Sequence, residues 1–439
     1  MKSSRLWLAF LAALLAGLAI TGAVAAYTFA REVVVAESTQ DERLSDVTNN
    51  CNRAEWLVVW QVDTGGGDTD IRGRRARSIP AFEWLGDAFL IAADASPERA
   101  ARVAYNPLDD DFLVVYERKL LSGDVDVLGQ RVAGWPGGGD SGPDLRGSPF
   151  AIGASVGQET TPAVAFLPAT QQFLVTYELN DDIRGRRVAR YHMGTNGGET
   201  LGPTFIVAAD PFHAEGTPTV IASDQQAYFL VAYTYEFTQD EFDVRAQRVK
   251  GSSTPGNELL ASAFDIANTT GDETQPDLAY SQNWHALLAV WTATAAGNSD
   301  VQGLWMDEYI QSGNPAMGPA FDVAPNPIAN EMEPQATSDP VTGNTAVTMI
   351  VEPAPGATTR LGLVWVQPDP LALNHILAPR FTFPERPFLV TTPRLSLCPN
   401  QPGLLIGYSA RFGFPPDYEY DAQLLAGSQW AVPMPLVQR

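Results

Sequence analysis

The chain is poor in the residue types that usually announce chemistry. Among 439 residues there are four histidines and two cysteines. His192, His213, His285 and His375 are scattered along the chain without the close spacing of zinc ligands. No Gly-Lys-Ser/Thr phosphate loop and no His-Glu-x-x-His occurs, so the common nucleotide-binding and zinc protease signatures are missing. Positive charge is scarce as well: 28 Lys and Arg stand against 51 Asp and Glu, a net charge of −23. Such a surface repels phosphate backbones and anionic lipid headgroups, which argues against nucleic acid or a membrane surface as partner. Beyond the N-terminus there is no long apolar run and no sustained helical period.

The exception is the start of the chain. Lys2 and Arg5 precede an apolar stretch over residues 6 to about 20, followed by the small residues Ala23-Val-Ala25. That is the layout of an export signal, with cleavage expected after Ala25. The alternative is a retained N-terminal anchor reaching to about residue 30. Either way the remainder, 31–439, is expected as a single domain, secreted or held at the cell surface.

That remainder is a repeat of about 58 residues. Its third apolar run ends in an aromatic at Trp60, Tyr116, Tyr177, Tyr233 and Trp291, each 56 to 61 residues after the last, then at Tyr408. A worn copy, Ala346-Val-Thr-Met349, fills the gap. The clearest copy reads Phe150-Ala-Ile-Gly (strand a), Glu159-Thr-Thr-Pro-Ala-Val-Ala-Phe (b), Phe173-Leu-Val-Thr-Tyr (c) and Asp182-Ile-Arg-Gly-Arg-Arg-Val (d). Four short β-type runs make one small sheet, which cannot bury its faces alone; radial stacking solves this. The sequence therefore predicts an all-β fold, a seven-bladed β-propeller of four-stranded antiparallel blades. The repeat-position aromatics are expected to pack between blades.

Strands b, c and d recur seven times, but strand a has eight candidates. These begin at Val33, Phe89, Phe150, Phe205, Phe264, Phe321, Phe388 and Trp430. A surplus of one predicts that a terminal segment closes the ring, removing an exposed sheet edge. Cys51 and Cys398 fall at matching b–c positions in the first and last blades. An exported protein can keep a disulfide, so this pair is the candidate bridge across the closure, against two separate thiols.

Acids recur with the repeat. Glu98, Glu159, Glu215, Glu273 and Glu331 precede strand b, mostly as Glu-x-x-Pro, and Asp70, Asp126, Asp182, Asp243 and Asp300 open strand d. Alternating strand direction puts both sets on one face of the disc, and Arg75, Arg131, Arg187 and Arg248 toward the other. The plainest role for a group repeated in every blade is to accept backbone N–H bonds and fix a turn. A second role is Ca²⁺ binding by clustered oxygens, for which Asp124, Asp126, Asp240 and Asp243 are the candidates. No other cofactor is suggested.

The cassette Pro-x-Val-Ala-Tyr, Phe-Leu-Val-Val-Tyr and Asp-Ile-x-Gly-Arg-Arg-Val resembles the repeats of exported bacterial β-propeller proteins over about residues 31 to 435. The resemblance implies the disc and no particular activity, and the Ser-x-Asp-x-Gly-x-Thr-Trp box of sialidase-like propellers is not matched. Two functions are separable. One is a non-enzymatic binding or scaffold protein presenting a propeller face to an extracellular protein or glycan. The other is a carbohydrate-active enzyme, a glycoside hydrolase or lyase, using carboxylates in the central funnel. An enzyme should break the symmetry with unlike polar residues at the axis. Strand a, mostly apolar and similar between copies, favours the first.

Overall fold

The computed structural model describes residues 29–35, 40–77, 82–134, 144–191, 199–238, 241–308, 315–324, 326, 328–340, 342–354, 356–368, 376–382, 390–397, 404–412 and 419–427. These form seven antiparallel sheets and no helix. Strand c of each repeat is the most apolar because it is covered on both sides by neighbouring blades; Phe112, Leu113, Val114 and Val115 in succession are fully buried. The inner strands are Glu42–Asn50, Glu98–Asn106, Glu159–Leu167, Glu215–Ser223, Asp272–Ser281, Asn330–Ser338 and Val390–Leu397, in blades one to seven. Each touches the next, and that of blade seven returns to that of blade one. The fold is a seven-bladed β-propeller.

Seven apolar clusters fill the seven interfaces. The repeat-position aromatics lie in them, with Trp60, Tyr116, Tyr177, Tyr233 and Trp291 at most 2% exposed, as core packing requires. The order within a blade is b-c-d-a from axis to rim, so strand a belongs to the blade of the preceding copy. Its Phe pairs across the sheet with the Gly of strand d: Phe89 with Gly73, Phe150 with Gly129, Phe205 with Gly185 and Phe321 with Gly303. A Cβ on Gly129 would lie 2.8 Å from the Phe150 ring, so the ring occupies the space that glycine leaves.

Ring closure is made by the N-terminus. The strand Phe29–Val34 is the rim strand of blade seven, antiparallel to Glu419–Gly427. Val35, fully buried, packs with Leu44, Trp56, Trp60 and Leu405 across the blade-seven to blade-one interface. The candidate beginning at Trp430 lies outside the described residues. The candidate at Phe388 is corrected: Val390 and Thr391 open the inner strand of blade seven, and the rim strand of blade six is Ile376–Thr382, whose Phe381 pairs with Leu363. Removing residues 1–35 is expected to leave blade seven with three strands and to lower the thermal midpoint by several degrees. An unchanged melting curve would refute N-terminal closure.

Candidate functional site

Every inner strand carries a β-bulge at the same place. In blade three Thr160 pairs with Glu178 and Ala163 with Thr176, so one extra residue is inserted; the other six blades show the same register shift. Ala100, Thr161, Thr217, Gln275 and Glu333 within these bulges have φ between 47° and 54°. For a β-branched threonine that left-handed backbone costs on the order of 1–3 kcal/mol, and such bulges re-aim the side chain that follows. Here they turn one residue per blade onto the axis: Asp46, Arg102, Ala163, Thr219, Asp277, Gln335 and Arg394, in blade order.

These seven positions line a cavity of about 490 Å³ that opens between the bulges. They are equivalent in the repeat and unlike in chemistry. Asp46 accepts the N–H groups of Val47 and Val103, both at 2.9 Å, and Arg394 Nε stands 3.9 Å from its Oδ1. Burial raises its pKa, opposed by the charges of Arg102 and Arg394. Asp277, three blades away round the ring, accepts from the Thr219 hydroxyl at 3.2 Å and the Ala336 N–H at 2.7 Å. Burial pushes its pKa up to about 6. Arg102 falls to about 10, through burial first and the nearby Arg394 charge second.

A second pair of acids flanks Thr161, which lines the cavity. Glu117 accepts the Thr161 N–H at 2.8 Å and holds Arg99 at 2.6 Å. Glu178 lies on the other side of the same residue, 3.4 Å from Thr161 Oγ1, and is raised by burial and by the charges of Asp181 and Glu117.

The repeated glutamates are structural. Glu98, Glu159, Glu215, Glu273 and Glu331 open or nearly open strand b and are at most 3% exposed. Four of them reach back to a loop N–H four or five residues earlier, at Asp94, Ser155, Asp210 and Thr269. They share a face with the strand-d aspartates, as expected: Asp70 acts on Glu98, Asp126 on Glu159 and Asp182 on Glu215. Burial and these neighbours raise Glu98 to about 8 and Glu215 to about 7. A carboxyl whose folded pKa exceeds its unfolded one, near 4.5, stabilises fully below that value and loses its contribution as pH rises through the folded pKa. The melting temperature should therefore fall as pH rises from 5 to 8.5. Glu98→Gln, which imitates the protonated acid, should flatten that slope; an identical slope in thermal melts of the variant would refute it.

Of the calcium candidates, Asp124 and Asp126 lie at the strand Val125–Ala133 and Asp243 on the strand Glu241–Lys250, two blades apart. Asp126 pairs with Arg118 at 3.1 Å, Asp124 lies in an exposed turn with Ser122, and Asp243 is buried and raised to about 6 by burial and by Glu273. Asp240 lies outside the described residues. Among the described residues no group of three or more His, Cys, Asp or Glu is placed to hold a metal. Cys51 Sγ is 3.9 Å from the carbonyl of Leu397, next in sequence to Cys398, which lies outside the described residues. Sequence reasoning missed Asp46, Arg102, Asp277 and Arg394. The available signal was the residue after the Pro of Glu-x-x-Pro, the position that varies while its neighbours repeat.

No family model matches the chain, and no curated protein matches it. Solved structures share its fold at low identity. The Dos1 propeller is 9% identical, with 91% of this chain and 94% of that one covered and a TM-score of 0.48. The NanB sialidase of Streptococcus pneumoniae is 8% identical over 90% of this chain and 70% of that one, at 0.47. The leech intramolecular trans-sialidase is 9% identical over 90% and 69%, at 0.45. The expectation of a non-enzymatic scaffold is corrected here. The axis overturns it, breaking the sevenfold symmetry with unlike polar groups. The solved structures matched also include arabinofuranosidases and an N-acetylgalactosamine deacetylase, at TM-scores of 0.35 to 0.37, and likenesses this low carry no argument about chemistry.

Proposed function

We propose that the chain is a carbohydrate-active enzyme, a glycoside hydrolase or lyase, that takes an extracellular glycan into its axial cavity. The observation that carries this reading is the set of unlike residues at seven equivalent positions, two of them aspartates held in different surroundings. Asp277, raised by burial to a pKa near 6 against the pull of the Arg394 charge, holds a proton it can give up. Asp46 is also raised by burial, but two guanidiniums, Arg102 and Arg394, pull the other way. In hydrolysis the Asp277 proton goes to the bridging oxygen as the C1–O bond breaks. A water oxygen bonds to C1 and its proton goes to Asp46. Export is part of the proposal, supported by Lys2, Arg5 and the apolar residues that follow.

The test is turnover on a panel of neutral and acidic polysaccharides, read as new reducing ends or unsaturated products. Activity that Asp277→Asn abolishes supports the reading. No turnover on any member, or turnover that Asp277→Asn leaves intact, overturns it.

A further inference from the structure

The two axial arginines make no close ion pair; in this they resemble Arg186 and Arg187, which also donate to backbone carbonyls, and differ from four others. Arg75, Arg99, Arg118 and Arg131 each place a guanidinium nitrogen within 3.2 Å of a carboxylate oxygen. Arg102 Nη1 instead donates to the carbonyls of Ser45 and Ala101, at 3.2 and 3.1 Å. Arg394 donates to the carbonyls of Ser45 and Pro393, at 3.0 and 2.8 Å. Their neighbour Asp46 has both oxygens occupied by backbone N–H groups and stands 3.9 Å from the nearer guanidinium. Arg394 is 12% exposed, yet among the described residues neither arginine hydrogen-bonds a carboxylate. Both residues line the cavity.

Two largely desolvated cations on blades seven and two repel each other, and the carboxyl groups that face them, Asp46, Asp277 and Glu117, make no hydrogen bond to either guanidinium among the described residues. Burying charge without a close partner is costly, and guanidinium geometry matches a carboxylate's two oxygens. The whole chain carries a net −23, so two arginines on one axial cavity stand out against it. The cavity, about 490 Å³, has the size of a small-ligand site.

We propose that Arg102 and Arg394 form an anion-binding subsite in the axial cavity, and that the saccharide bound there is acidic, its carboxylate held by the two guanidiniums. The saccharide half of this inference rests on the carbohydrate-active reading; the anion site does not.

Calorimetric titration of the full chain with trigalacturonate, its neutral methyl ester and a sulfated galactose trimer tests it. Trigalacturonate should bind at least tenfold tighter than the ester and tighter than the sulfated chain. Arg102→Met and Arg394→Met should each lose tenfold or more, and Arg394→Lys should recover part of it. Arg245→Met, at an exposed pair with Asp265, controls for general charge loss. Far-UV circular dichroism and melting temperature establish that each variant is folded. Equal binding of acid and ester, binding of the sulfated chain alone, or acid binding unchanged in both methionine variants overturns the proposal. Asp277-dependent turnover of neutral chains with no acid preference would sink this inference and leave the enzymatic reading standing. Arginine-dependent acid binding without turnover would support it while the enzymatic reading fails.

Discussion

Arg131→Met should destabilise the propeller by about 3–5 kcal/mol, the loss expected when one partner of a buried ion pair is removed. Arg131 and Asp111 are both fully buried, 3.1 Å apart. The same guanidinium reaches into blade three, to Glu199 at 2.7 and 2.8 Å and to the carbonyl of Ala189 at 2.6 Å. It is a staple between blades, and it repeats: Arg75 reaches the carbonyl of Ala133 and Arg187 that of Lys250, each at 2.6 Å. Methionine fills the space but leaves Asp111 buried with Asn106 at 2.9 Å as a remaining donor. Burial already raises the Asp111 pKa against the pull of Arg131, so without the arginine the carboxyl should hold its proton to higher pH. The destabilisation should then shrink as pH is lowered, and Asp111→Asn should recover part of it in the double variant. Arg184→Met, removing a half-buried pair with Asp182 on one strand, should cost under about 1 kcal/mol. Urea unfolding of the two variants decides; equal losses would mean that Arg131 is not a staple.

These arginines were visible in the repeat as the fifth residue beyond each strand-d aspartate, and only their target was hidden. A period reveals how many units there are, not where a unit begins in space. Strand a was read as the start of its copy, whereas it is the rim of the blade before, and so the symmetry of the axis was judged on the strand farthest from it. The correct order was encoded in a pair of recurring residues. Gly129 and Phe150 recur together because the ring needs the missing Cβ, which joins strand a to the strand d that precedes it. The axial residues escaped for the converse reason. Attention goes to what repeats, such as Glu159 and Pro162, while Arg102, Thr219, Asp277 and Arg394 differ from copy to copy. Their common orientation depends on a bulge, and a one-residue insertion in a strand leaves no periodic trace. Closure by a terminal strand was legible from counting; the choice of terminus depended on pairing with Glu419–Gly427, where no repeat residue points.

Asp277→Asn should lower kcat by roughly 10²- to 10⁴-fold, the range for removing a general acid, with a much smaller change in KM. The fold should tolerate it. Asparagine can keep its carbonyl on the Ala336 N–H and turn its amide toward Thr219, whose hydroxyl then accepts instead of donating. A loss of turnover without a loss of melting temperature separates catalysis from blade packing. The pH profile gives a second, independent readout. A general acid with a pKa near 6 works while protonated, so kcat should fall as pH rises through that value. Thr219→Val removes a hydrogen bond that favours the ionised carboxylate, so the Asp277 pKa should rise and the falling limb should move to higher pH. If Thr219→Val left the limb in place while Asp277→Asn still abolished turnover, the proton donor would be another group, and Glu178 beside Thr161, also raised by burial, would be the residue to substitute next.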